Sequence, residues 1–119
     1  MKQQFDISFP KRVIFRSHGT KTVGTILQGY GFKHTVVLTD AGIKQSGICD
    51  SIVQNLKEAH LEVTLIDSLP REPANTDVDR IMQSIKATSC DNIVAVGGGS
   101  VLDIGKLSAV PNTYPFFSA

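Results

Sequence analysis

Residues 91–106, Asp-Asn-Ile-Val-Ala-Val-Gly-Gly-Gly-Ser-Val-Leu-Asp-Ile-Gly-Lys, constrain the fold more than any other stretch of the chain. Ile93 to Val96 is an apolar run with the length of a buried strand. It stops at Gly97, Gly98 and Gly99, and a helical pattern follows. Ser100-Val101-Leu102-Asp103 has the form of a capping box, with Ser100 as cap and Asp103 as its acid. Val101, Ile104 and Leu107 or Ser108 continue one face, and Pro111 limits the helix to about residues 101–110.

Two more strand-then-helix units precede this one. Thr35 to Thr39 is β-branched and apolar and predicts a buried strand ending at Asp40. A loop flanked by Gly42 and Gly47 follows, then a helix over about residues 47–59 with Ile48, Ile52, Leu56 and Ala59 on one face. Glu62 to Asp67 predicts a second strand, and Pro70 and Pro73 exclude helix behind it. Thr76-Asp77-Val78-Asp79 predicts a capping box, and Val78, Ile81, Met82 and Ile85 an apolar helix face. Nearer the start, Arg12 to Arg16 suits a short strand ending at His18-Gly19, and residues 20–30 suit a helix with Val23, Ile26, Leu27 and Tyr30 on one side. Strands alternating with helices predict an α/β fold: a Rossmann-like parallel sheet, right-handed crossovers, helices on both faces. The domain spans residues 1–110, and residues 111–119 are set apart as a short atypical tail.

Ligands of such sheets bind beyond the carboxyl ends of the strands. Asp40, Asp67-Ser68 and the three glycines fall at those ends and are expected to share one rim. Glycines admit backbone N–H groups close to a phosphate, and the helix end adds partial positive charge. The bland alternative is that they serve only tight packing, for which three in a row are more than enough. Asp40 can accept hydrogen bonds from ribose hydroxyls and disfavour a 2′-phosphate, or it can simply open a turn with Ala41-Gly42. Asp103 is first a capping acid; Lys106 either pairs with it or with a phosphate, or is solvated.

Composition removes other classes. The 119 residues carry a net charge of +1 with 19% charged residues, so no polyanion partner and no nucleic acid is implied. Aromatics are 7% and tryptophan is absent, which argues against stacking platforms for single strands. No apolar run approaches a membrane span, and Lys11-Arg12 interrupt any signal-peptide stretch, so a cytoplasmic location is expected. Cys49 and Cys90 read as reduced thiols. His18, His34 and His60 have no partner at metal-binding spacing, and no order of Ser, His and Asp marks a nucleophile. A chain of this size can bury about 65% of its unfolded surface, enough for one core.

The segment Gly97-Gly98-Gly99-Ser100-Val101-Leu102-Asp103-Ile104-Gly105-Lys106 resembles the GGGS-x-x-D-x-x-K signature of the iron-containing (type III) alcohol dehydrogenases. Val37 to Gly42 is similar to that family's strand-then-Asp-x-Gly element, Gly47 to Leu56 to its following helix, Glu72-Pro73 to its Glu-Pro loop, and Phe15 to Gly19 loosely to its opening. The resemblance covers residues 5–110. It implies the N-terminal domain of a dehydroquinate synthase-like fold and an NAD-dependent oxidoreductase that interconverts alcohols and aldehydes or ketones. It implies cofactor-binding roles for Asp40, Gly97, Gly98, Gly99, Ser100 and Asp103, with NADP less suited than NAD. Asn75 takes the place of the family's adenine-side Asn, displaced by Ala74. Family members hold Fe²⁺ or Zn²⁺ in a C-terminal helical domain, and those ligands are not in this sequence. The resemblance therefore implies a truncated cofactor-binding part, inactive alone, with a non-catalytic nucleotide-binding domain as the alternative. It also implies homo-oligomers, with residues 5–16 pairing between chains.

Overall fold

The computed structural model describes residues 12–14, 23–70, 72–112 and 116–118, excluding the side chains of 12–14, 106, 109–112 and 116–118. Five strands and five helices follow in order: β1 (Arg12–Ile14), α1 (Val23–Gly29), β2 (His34–Asp40), α2 (Ala41–Gln45), α3 (Ile48–Glu58), β3 (Glu62–Leu69), α4 (Asn75–Ala87), β4 (Asn92–Val96), α5 (Gly99–Asn112) and β5 (Phe116–Ser118). The strands form one parallel sheet in the order β1-β5-β4-β2-β3. Phe116–Ser118, inside the stretch set apart as a tail, thus enters the sheet between β1 and β4.

Period-two alternation divides the core. Val36, Leu38, Ile93 and Ala95 point to one face, where Ile81 and Ile85 of α4 and Val101 and Ile104 of α5 cover them. Val37, Val94 and Val96 point to the other, under Val23 and Leu27 of α1 and Cys49, Ile52 and Leu56 of α3. Every residue of β4 is buried, as expected of a strand with helices on both sides.

Several local expectations are corrected. The loop after Asp40 holds the short helix α2, because the Asp40 carboxylate accepts from Ile43 N–H at 2.8 Å and caps it. In α3 the buried face starts at Cys49, leaving Ile48 48% exposed. In α1 only Val23 and Leu27 of the four expected apolar residues are buried; Ile26 and Tyr30 are exposed. Helix α4 starts before Thr76, at Asn75. Its cap residue Ala74 has no side-chain acceptor, so only the returning half of the box forms, with Ala74 N–H donating to Asp77 Oδ2 at 2.8 Å. Helix α5 takes Pro111 and Asn112 into its last turn, although a proline there has no N–H to donate to the carbonyl four residues earlier. Ser108, not Leu107, completes its inner face. His18 and the segment Phe15 to Gly19 lie outside the described residues.

Candidate functional site

The site is built at the carboxyl ends of β4 and β2, which are neighbours in the sheet with Thr39 opposite Val96. Beyond Val96 the backbone enters Gly97 at φ +151°, a conformation that side chains rarely adopt. A Cβ there would lie 2.9 Å from Val101 Cγ2 and 3.6 Å from Asp40 Oδ2. Gly97 is therefore fixed by packing from below, and the Asp40 carboxylate lies directly beside the glycine turn. Gly98 and Gly99 differ: a Cβ on either would meet nothing within 4 Å. Packing alone therefore does not demand glycine at these two exposed positions, and the space above them is open to a ligand.

Helix α5 begins at Gly99, two residues before the expected start. Its first ladder bond runs from Leu102 N–H to Gly98 O at 3.1 Å. The N–H groups of Gly99, Ser100 and Val101 precede that bond and have no acceptor within the helix. They sit at the positive end of a helix of 14 residues. This corrects the expected cap. Ser100 is the second residue of the helix, exposed, and Asp103 is the fifth, also exposed, too far along to close a box. The reason is Gly98, whose freedom lets it take the cap position itself.

Asp40 uses Oδ1 to cap α2 and keeps Oδ2 toward Gly97. Its two readings, turn-former and ligand acceptor, thus fall to different oxygens of one carboxylate. Asp67 and Ser68 do not lie beyond their strand, because β3 runs on to Leu69, opposite Asp40 after an irregularity in the pairing. Arg80 Nη1 donates to Ser68 Oγ at 3.1 Å and ties this strand end to α4. Asn75 is exposed at the first position of α4, on the β3 side of the rim.

The spacing gave no sign of Thr39. Its hydroxyl donates to Val96 O at 2.7 Å, with both residues buried. A β-branched residue in a strand has an ordinary explanation, and nothing local distinguishes this one. Behind it, burial pushes the Cys49 thiol up, opposed chiefly by its hydrogen bond with Thr39. Both cysteines are free and buried. Among the described residues no three His, Cys, Asp or Glu side chains converge as metal ligands. His34 instead bonds Thr64 Oγ1 at 2.8 Å, and His60 turns the chain at the end of α3 with φ 68°. Nor is any helix among the described residues long and apolar enough to cross a membrane.

A glycine turn opening a helix beside a strand-end aspartate is an arrangement also found in nucleotide-binding α/β domains. Residues 10–118 match the model of the iron-containing alcohol dehydrogenases, and the chain belongs to that family. It is 35% identical over 97 residues to NAD-dependent methanol dehydrogenase from Bacillus methanolicus, covering 82% of this chain and 25% of that enzyme. It is 32% identical over 114 residues to 1,3-propanediol dehydrogenase from Klebsiella pneumoniae, covering 94% and 30%. A solved 1,3-propanediol oxidoreductase superposes with a TM-score of 0.73 at 30% identity, over 88% of this chain and 27% of its own. The chain spans between a quarter and a third of the length of these relatives.

Proposed function

We propose that this chain is the NAD-binding part of an oxidoreductase acting on small alcohols and aldehydes or ketones. The observation that carries the reading is the open space over Gly98 and Gly99, beside the free oxygen of Asp40. The unpaired N–H groups at the start of α5 suit a pyrophosphate, with Ser100 as a further donor. Asp40 Oδ2 suits a ribose hydroxyl and repels a 2′-phosphate. Asn75 and β3 then lie on the adenine side, and Asp103 lies one turn beyond the phosphates. The relative named as NAD-dependent supports this choice of cofactor. Bound NAD supplies the hydride acceptor; the residues here bind and orient it. The family's Fe²⁺ or Zn²⁺ is not fitted by any described cluster, so no step is assigned to a metal in this chain. On this reading the chain alone binds nucleotide without oxidising alcohol.

Calorimetric titration with NAD and ADP-ribose tests this reading. The unsubstituted chain binds both, and Gly98→Val abolishes binding, since its new side chain meets only ligand space, while the poorer cap lowers the melt by only about 4 °C. Retained binding in Gly98→Val removes the phosphate role. NADH formation from primary alcohols by the purified chain, with Fe²⁺ or Zn²⁺ added, would refute the proposal that it is inactive alone.

A further inference from the structure

Gly97 creates a requirement that it cannot itself meet. It lacks a Cβ, so no side chain of its own restrains the peptide joining it to Val96. That peptide opens the turn, and its plane sets the course of the backbone into Gly98 and α5. Something outside the turn must hold it. The Val96 carbonyl belongs to the same rigid peptide plane as the Gly97 N–H. Thr39 Oγ1 donates to that carbonyl at 2.7 Å from the neighbouring strand, in fully buried surroundings. A side-chain bond thus fastens the plane at the point where the β2–β4 pairing reaches its last matched residues, Thr39 and Val96.

We infer that Thr39 is a positioning residue for nucleotide binding: its hydroxyl fixes the Val96–Gly97 peptide and so presets the glycine turn. The inference rests on the nucleotide reading above for the ligand, but not for the geometry. A bond inside a low-dielectric interior is strong, and its loss takes the side-chain donor away from a buried carbonyl. In Thr39→Val that carbonyl seeks another donor, and the glycine beside it offers little resistance to rotation.

The same strand supplies an internal control. Thr35 lies four residues earlier on the same face of β2, equally buried, and its hydroxyl has no hydrogen-bond partner. Thr35→Val makes the identical chemical change at the opposite end of the sheet. Three variants, Thr39→Val, Thr39→Ser and Thr35→Val, are titrated with ADP-ribose well below their melting temperatures. The ¹⁵N-labelled proteins are also followed at the Gly97 amide by NMR. Thr39→Val binds about tenfold more weakly, the order expected for one lost buried hydrogen bond. Its Gly97 amide shifts and exchanges faster with solvent. Thr39→Ser and Thr35→Val keep parental affinity and a parental Gly97 amide. Parental affinity and amide exchange in folded Thr39→Val overturn the inference, as does equal weakening by Thr35→Val. If the unsubstituted chain fails to bind ADP-ribose, the nucleotide reading fails, and the Gly97 amide alone decides whether Thr39 sets the turn. Should Thr39→Val not fold, the unsubstituted chain still decides: a Thr39 hydroxyl proton held by Val96 O exchanges slowly, and a rapidly exchanging one overturns the inference.

Discussion

Asp40 combines two tasks that substitution can separate. One oxygen caps α2 through Ile43 N–H, and the other lies beside Gly97. Asn caps a helix about as well as Asp, whereas Ala loses about 1 kcal/mol at such a position. Asp40→Asn therefore keeps the melting temperature of the parent, while Asp40→Ala lowers it by about 4 °C. On the proposed NAD reading, both variants lose the charge that would repel a 2′-phosphate, so both are expected to narrow a preference for NAD over NADP. Parallel thermal melts and titrations with the two dinucleotides check the split. A stable Asp40→Asn with an unchanged preference would show that the carboxylate serves only as a cap.

Among the elements, the α1–α3 contact is the one least forgiving of change. Gly24 N–H donates to Asn55 Oδ1 at 2.7 Å, and a Cβ at Gly24 would fall 2.5 Å from Asn55 O and 2.9 Å from Ala59 Cβ. Alanine gains up to about 1 kcal/mol in helix propensity over glycine. Here that gain loses to a clash with a backbone oxygen, which no rotamer change relieves, so the helices must part. Gly24→Ala is expected to destabilise by about 1–3 kcal/mol, the usual range for overpacking, as read from urea unfolding. Ala59→Gly does not rescue it, because the closer clash is with Asn55 O.

How far such detail can be read from sequence depends on its range. β4 was legible because four consecutive apolar positions, Ile93 to Val96, end at glycine, with the buried Asn92 added in front of them. The start of α5 was not, since Ser100 and Asp103 have the right spacing for a box but Gly98 already occupies the cap. That the glycine turn and Asp40 lie side by side was legible because each follows a strand of one parallel sheet. Thr39 was invisible because its meaning depends on Val96, 57 positions away.

At the scale of the whole molecule, each face of the sheet conceals one thiol: Cys90 beneath α4 and α5, Cys49 beneath α1 and α3. Burial is the first cause raising both above the ordinary value of 9.0. A raised pKa means that the folded state holds its proton longer than the unfolded chain does. The stability from this source is complete below pH 9 and is lost as pH rises through the higher folded values. Denaturant melts across pH 8 to 10.5 should show a loss of stability that is smaller in Cys49→Ala and Cys90→Ala, each compared with its own value at pH 8. Native thiols at pH 8 should resist iodoacetamide until urea exposes them.

The strand order has a temporal meaning as well. β1 reaches the sheet through β5, and β5 reaches it through β4. During synthesis, then, β1 waits for β5 before it can take its place in the sheet. The β2–β3–β4 sheet and its helices can assemble meanwhile, from segments much closer in sequence, at a smaller loop-closure cost. The five strands therefore do not share one fate. Among the described strands, β2, β3 and β4 pair across shorter separations in sequence, whereas β1 and β5 pair across the longest.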